Sequence, residues 1–518
     1  MGDIEKVAIV ICPPWDINMP SLGIGYLCAY LKSSGITSKV FDLNIELYHK
    51  SKNKFKWDMT SLYCWEDDLA IQSTIDENEA SIQGFLKELF PFKIICFSIN
   101  VANIAFSIRM IEKIRKANKN SIICAGGPIT DHVIPKELRE CVDYLIIGEA
   151  EAKLVTLVKK INKSENKNNK TVNSALTNNL DLDSLPWPTY EEFNLSSYLK
   201  RELPLSGSRG CYGKCNFCTD WKRRPYAARK AVSIFEEVSY HYIKNKIRRF
   251  RFNDLIINGN VTELEKFCDL VIKNRLNILW WSTALINIGV TRNLYIKMKK
   301  AGCYYLEYGI ESFSPGVLKL MNKPFRYEHI YPVLKNTFDA RIRAGANLLV
   351  GFPGETEEQF KENCINFRKH YKLIERVANL NPVYIYGNSN INLEKKDYEI
   401  IPDNEYLKWN TSDMKNTYEI RIKRLLKIIE LLKELKIPYP EIHIKEVRDD
   451  LCSIYGSNVF ENKIGSNDYN RNIYDEMSPA QLFFDSWNIN GPLSTLRFAF
   501  RYVRNLKFLR YYANIIRK

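Results

Sequence analysis

Three cysteines, Cys211, Cys215 and Cys218, stand in C-x3-C-x2-C spacing within SRGCYGKCNFCTDW, residues 208–221. Free cysteine is commonly a small buried hydrophobe, but a loop that also holds Gly210 and Gly213 is badly placed for core. Structural zinc takes four ligands, often as two C-x2-C pairs, and neither a second pair nor a nearby histidine partner is visible. A 4Fe-4S cluster held by three thiolates keeps one iron free for a small molecule, which chemistry at the metal requires. The spacing favours that cluster over zinc or core.

Such a loop needs a scaffold. At 518 residues the chain exceeds the ~250–300 at which one core usually splits, so two or three domains are expected. Apolar strand runs alternate with helical patterns through the first third: KVAIVIC (6–12), LGIGYLCAYLKSSG (22–35), SKVFDLN (38–44), KIICFSIN (93–100), SIICAGG (121–127) and VDYLIIGEAE (142–151). This rhythm predicts an α/β fold, a doubly wound parallel sheet over residues 1–160 with its loops at the carboxyl edge. A polar insert and a proline-stiffened linker, LDLDSLPWPTY, occupy 161–198. Strand and helix candidates alternate again over 199–395: RRFRFND (248–254), ILWWSTAL (278–285), YYLEYGIES (304–312), NLLVGFPGET (347–356) and NPVYIYGNS (381–389). Runs of this kind form full or partial barrels whose post-strand loops hold the chemistry. Residues 396–518 read as a mostly helical region.

Composition narrows the setting. Hydrophobic residues at 45% and charged residues at 26% describe a globular chain. The formal charge of +15 admits an acidic ligand, nucleic acid or membrane surface, or simply a lysine-rich proteome. The N-terminus lacks signal-peptide character, and no stretch reaches the ~20 apolar residues of a membrane span. The expected location is the reducing cytoplasm, where the 13 cysteines serve as thiols or metal ligands rather than disulfides.

The cysteine loop resembles the signature of the radical S-adenosylmethionine (SAM) enzymes, and YYLEYGIESFSPGVLKLMNK (304–323) and LLVGFPGETEEQF (348–360) resemble later strand motifs of that family. The resemblance covers about residues 200–390. It implies that Cys211, Cys215 and Cys218 hold the cluster, that the open iron chelates SAM, and that an external electron donor such as flavodoxin or ferredoxin reduces it. Phe217 would lie near the adenine, Glu311 and Ser312 would bond the ribose or methionyl group, Asp254 would face the same space, and Gly351 and Gly354 would admit the ligand to backbone. Where relatives often carry an arginine, this chain has Ala284.

The N-terminal unit resembles the cobalamin-binding domain of one radical SAM subclass, through PPWDINMPSLGIGYLCAYLK (13–32), AGGP (125–128) and VDYLIIGEAE. The lack of G-x-G-x-x-G after the first strand argues against a dinucleotide. The resemblance implies cobalamin contacts at Pro14, Asn18, Ser98, Asn100, Gly126, Gly127, Gly148 and Glu149. Asn18 stands where a D-x-H-x-x-G loop would place its cobalt-ligating histidine. His132 and the scattered His49, His241, His329, His370 and His443 have no such context, so cobalamin is expected without a protein histidine on cobalt.

These features imply a cobalamin-dependent C-methyltransferase acting on an unactivated carbon, where a 5'-deoxyadenosyl radical removes hydrogen and methylcobalamin supplies the methyl group. The rivals are a radical cyclase or rearrangement enzyme with the same domains, a tRNA methylthiotransferase, and a noncatalytic binding protein. The methylthiotransferase needs a second three-cysteine cluster, which Cys12, Cys28, Cys64 and Cys96 do not supply, so nucleic acid is not favoured. Substrates of relatives include peptides, lipids and small natural-product precursors. EIRIKRLLKIIELLKELKI (419–437) reads as an amphipathic helix packed on the barrel. The basic, aromatic end, 493–518, reads as a cap, an acidic-peptide site or a contact with anionic lipid.

Overall fold

The computed structural model describes residues 6–128, 134–162, 171–172, 181–385, 387–401, 406–440, 444–456 and 463–464. The basic stretch 493–518, His132, His443 and most of the polar insert lie outside them.

The apolar runs of the N-terminal third form one parallel sheet: β1 (Val7–Ile11), β2 (Ser38–Asp42), β3 (Ile94–Ser98), β4 (Ile122–Gly126), β5 (Tyr144–Ile146) and β6 (Thr171–Val172), ordered β2-β1-β3-β4-β5-β6. Helices cover both faces, which is why β1 and β3 are apolar runs rather than alternating patterns. Sequence reading did not foresee β6. The strand expected to reach Asn44 stops at Asp42, because the Asp42 carboxylate accepts the Ile45 N–H at 2.9 Å and caps the helix Leu43–Lys50. Strand order reverses between β1 and β3, so their following loops part and open a crevice at the carboxyl edge.

The second sheet contains β7 (Glu202–Leu205), β10 (Arg249–Phe252), β11 (Leu279–Ala284), β12 (Cys303–Glu311), β13 (Arg343–Val350) and β14 (Arg376–Pro382). All pairs are parallel, in the order β7-β10-β11-β12-β13-β14, and β7 does not pair with β14. The result is a partial barrel. Phe250, Trp280, Leu306, Tyr308, Ala346 and Leu380 are buried under the helices, whereas Arg251, Trp281, Glu307, Asn347 and Asn379 on the opposite face are only partly buried. Strands β13 and β14 begin earlier than their apolar runs suggest, because these inward polar residues interrupt the hydrophobic pattern. The VYI run after Pro382 lies past the end of β14, where Val383 and Ile385 join a small core with Phe352 and Trp409. A two-residue antiparallel pair, β8 (Ser208–Arg209) with β9 (Ala227–Ala228), pinches the base of the cysteine loop.

The linker is fastened along both halves. The N–H groups of Leu199 and Lys200 donate to the carbonyls of Ile17 and Asn18, each at 3.0 Å, and the Tyr190 hydroxyl donates to the Pro204 carbonyl at 2.9 Å. Beyond the barrel, helix Tyr418–Leu435 packs on the sheet as expected, but Arg421 and Arg424 point inward. Arg421 donates to the Leu407 and Trp409 carbonyls at 2.9 and 2.6 Å, and Arg424 pairs with buried Glu355 at 3.2 Å.

Candidate functional site

The cysteine loop is docked as well as pinched. Asn216 donates through its N–H to the Met321 carbonyl (3.0 Å) and through Nδ2 to that of Leu320 (2.9 Å), while Asn322 Nδ2 donates to the Lys214 carbonyl (2.9 Å). Asn322 adopts φ 54°, a left-handed turn that asparagine tolerates. Inside the loop, the Gly213 N–H faces Cys211 Sγ at 3.3 Å and the Asp220 N–H faces Cys218 Sγ at 3.4 Å, the kind of donors that tune cluster sulfurs. Burial raises all three thiol pKa values, that of Cys218 to about 12, so a cationic centre is needed to hold them as thiolates. Lys323 opposes the rise at Cys211 and Cys215. Among the described residues no His, Cys, Asp or Glu group converges as around one metal ion. A 4Fe-4S cluster takes three thiolates on three different irons, and Cys211, Cys215 and Cys218 are the donor set it would need.

Two of the expected SAM-site residues meet at Lys323. Its Nζ lies 3.4 Å from Glu311 Oε1 and 5.6 Å from the centre of the Phe217 ring. Glu311 sits at a register shift in β12 with φ 70°, which turns its carboxylate toward the cysteine loop. Burial raises its pKa and Lys323 opposes the rise. The other expected residues have internal employment. Buried Asp254 accepts from the Gly207 N–H at 2.9 Å and from Ser208 Oγ at 2.5 Å, bracing the turn before the cysteine loop. Ser312 is fully buried and its Oγ accepts the Ser314 N–H at 3.2 Å. A Cβ at Gly351 would stand 2.3 Å from Arg421 Cγ, so that glycine admits the C-terminal arginine; Gly354, with φ 84°, lies nearest Leu320. Lys323 ends a stretch that sequence alone singles out, yet only the docking of two distant loops shows its role.

A cavity of about 1200 Å³ opens between the edge of the N-terminal sheet and the mouth of the barrel. Ser98, Gly126, Gly127, Gly148 and Glu149 line it, as do Trp15, Asp16 and Met19, whereas Pro14, Asn18 and Asn100 are not among its lining residues. Asn18 instead donates through Nδ2 to Asp16 at 3.0 Å, and Asn100 exchanges hydrogen bonds with Asn103. Gly127 has φ 121°, and a Cβ there would meet the Ile99 carbonyl oxygen at 2.6 Å. Across the cavity, Arg209 binds Glu149 at 2.9 Å and Glu151 at 2.7 Å, and Arg224 binds the same Glu149 oxygen at 3.0 Å. Burial works against the Arg209 charge, but Glu151 and Glu149 outweigh it and raise its pKa. Glu149 thus holds both flanks of the cysteine loop, a link invisible in sequence because its partners lie in another domain.

Residues 205–364 match the family model described as the radical SAM superfamily, so the barrel and its cysteine loop carry a radical SAM domain. It is 25% identical over 283 residues to an uncharacterised methyltransferase of Pyrococcus horikoshii, covering 51% of this chain and 61% of that protein. It is 22% identical over 368 residues to the anaerobic magnesium-protoporphyrin IX monomethyl ester cyclase of Rubrivivax gelatinosus, covering 67% and 61%. The chain therefore spans about six-tenths of the length of these relatives. Among solved structures, the cobalamin-dependent SAM radical enzyme OxsB, with aqua-cobalamin and SAM bound, has the same fold, with a TM-score of 0.62 over 97% of this chain and 75% of that one at 16% identity. No helix among the described residues is long and apolar enough to cross a membrane.

Proposed function

We propose that this chain is a cobalamin-dependent radical SAM C-methyltransferase that acts on an unactivated carbon. The observation that carries the reading is the single cavity bounded on one side by the glycine edge of the N-terminal sheet and on the other by the cysteine-loop flank. Its volume exceeds the ~300–1,000 Å³ of sites for drug-sized ligands, and its glycines leave flat backbone for a large ring. When bound, the cluster with SAM supplies radical chemistry and cobalamin supplies a transferable methyl group. Cys211, Cys215 and Cys218 would hold the cluster. Lys323 and Glu311 place a fixed charge pair beside the loop, and Phe217 gives that corner an apolar wall. Trp15, Met19, Gly126 and Gly127 would receive the corrin, and no histidine occurs among the described lining residues.

The similarity to the cyclase, over 67% of this chain, favours one second reading, a radical ring-forming enzyme built on the same domains. Anaerobic reconstitution with iron, sulfide and cobalamin, followed by mass spectrometry of the SAM-derived products, decides between them. With substrate present, the methyltransferase yields S-adenosylhomocysteine and 5'-deoxyadenosine together. Deoxyadenosine alone sinks methyl transfer and supports the cyclase reading.

A further inference from the structure

Below the cluster loop, the inner face of the barrel holds two arginines that lack a close carboxylate partner among the described residues. Arg376 is nine-tenths buried, its Nε has no hydrogen-bond partner, and among the described residues no carboxylate forms an ion pair with it. Its guanidinium instead lies 5.1 Å from the centre of the Tyr305 ring. Arg251 repeats the arrangement, 4.8 Å from the centre of the Trp281 ring, with only a loose 3.8 Å approach to Asp16. The two rings meet edge to face at 6.0 Å, so each arginine is backed by one member of an aromatic pair. Such stacking fixes a guanidinium without consuming its donors.

Local backbone explains the placement. A register shift at Ala346/Asn347 puts β14 out of simple alternation and brings Arg376 into phase with Asn379. Gly345 leaves the space that the Tyr305 hydroxyl fills, 1.9 Å from where a Cβ would stand. The carboxylates nearby feel these arginines without forming a close ion pair with them. Glu307 accepts from Asn379 at 3.1 Å, and its pKa is raised by burial despite Arg251 and Arg376. Glu202 accepts from Trp281 Nε1 at 2.9 Å.

We propose that the barrel interior binds an oxyanion of the substrate, a carboxylate or phosphate, anchored by Arg376 and flanked by Arg251. An unpaired buried guanidinium is costly unless a ligand completes it, and a planar donor fork suits either oxyanion. Arg251 lines the large cavity, and Arg376 lies deeper, beyond its lining residues. Glu307 pairs with the Arg376 level through Gly345, and Glu311 lies four residues further along β12 beside Lys323. At ~3.3 Å per residue, the anion rests roughly 13 Å below the cluster corner. The substrate class is therefore an acid whose reacting carbon lies on the order of 10 Å from its charged group. This assignment rests on the proposed function only for the identity of the reacting end.

The test is calorimetric titration of the protein loaded with iron-sulfur cluster, SAM and cobalamin, using inorganic phosphate and, separately, glutarate. At least one probe binds the parent protein. Arg376→Gln weakens it about tenfold or more, in line with loss of a charge-assisted pair, Arg251→Gln weakens it less, and Glu307→Gln tightens it. The preferred probe tells carboxylate from phosphate. No binding by either probe, or equal affinity in the parent, Arg376→Gln and Arg251→Gln proteins, overturns the proposal. If Arg376→Gln fails to fold, the partly exposed Arg251→Gln and the Glu307→Gln variant decide. Iron content and SAM uptake are measured on the same samples, so loss of those signals indicts the radical SAM assignment separately from the anion site.

Discussion

The two sheets present their working edges in opposite ways. The N-terminal sheet ends in glycines and backbone: Gly126, Gly127 and Gly148 face the cavity with no side chain. The barrel instead projects charge inward through Arg251, Glu307 and Arg376 and fixes its cysteine loop with asparagine amides. A surface of bare backbone suits a large flat ligand recognised by shape, whereas the barrel suits smaller groups recognised by charge and hydrogen bonds. Glu149 is where the two kinds of site touch.

The largest expected effect separates the halves outright. Gly127→Trp forces a side chain into the Ile99 carbonyl from a left-handed backbone, and should abolish cobalamin uptake while iron content stays near that of the parent. Cys218→Ala should do the reverse, losing most of the iron and all 5'-deoxyadenosine but keeping cobalamin absorbance. Cys303→Ala, a fully buried residue of β12, should leave iron unchanged. Uptake of both cofactors failing in either variant would erase the distinction between the sites.

A smaller effect should cross the divide. Glu149→Gln keeps the shape but removes the charge shared by Arg209 and Arg224. The Arg224 pair is partly exposed and contributes about 1 kcal/mol or less, and the more buried Arg209 keeps Glu151, so folding should survive. The paramagnetic resonance spectrum of the reduced cluster should shift, and cobalamin affinity should fall several-fold. A change on one side without the other would show that the ion pairs do not couple the sites.

The smallest effect concerns pH. Burial raises the Asp254 pKa from 3.8 to about 6, against the hydrogen bonds of Ser208 and Gly207. Between those values the unfolded chain releases a proton that the folded chain retains, so stability falls as pH rises through the window and levels off above it. Asp254→Asn should flatten that slope in urea midpoints of the metal-free chain.

The periodic features were legible in sequence. Apolar runs marked both sheets, and the cysteine spacing marked the loop that the structure pinches at β8 and β9. What sequence hid was employment. Asp254, Ser312 and Gly351 have the types and positions of ligand contacts, yet the structure uses them for a turn, a local bond and the seat of Arg421. Asn18 aligns with a cofactor-binding position but bonds Asp16. Conversely, Lys323 and Arg209 stand inside motifs the sequence marks, yet their roles, like that of Arg376, appear only through contacts between distant segments. The register shifts in β12 and β14, which decide where Glu311 and Arg376 point, leave no mark in simple alternation.

The two backbone bonds from Leu199 and Lys200 to Ile17 and Asn18 also impose an order on biosynthesis. The loop after β1 is synthesised long before the linker that supplies its fixing bonds. Contacts of such long sequence separation form late and slowly. The N-terminal sheet can pair its own strands as it emerges, but the rim of its crevice must await residue 200. A nascent chain halted before the linker therefore holds the floor of that crevice without its wall.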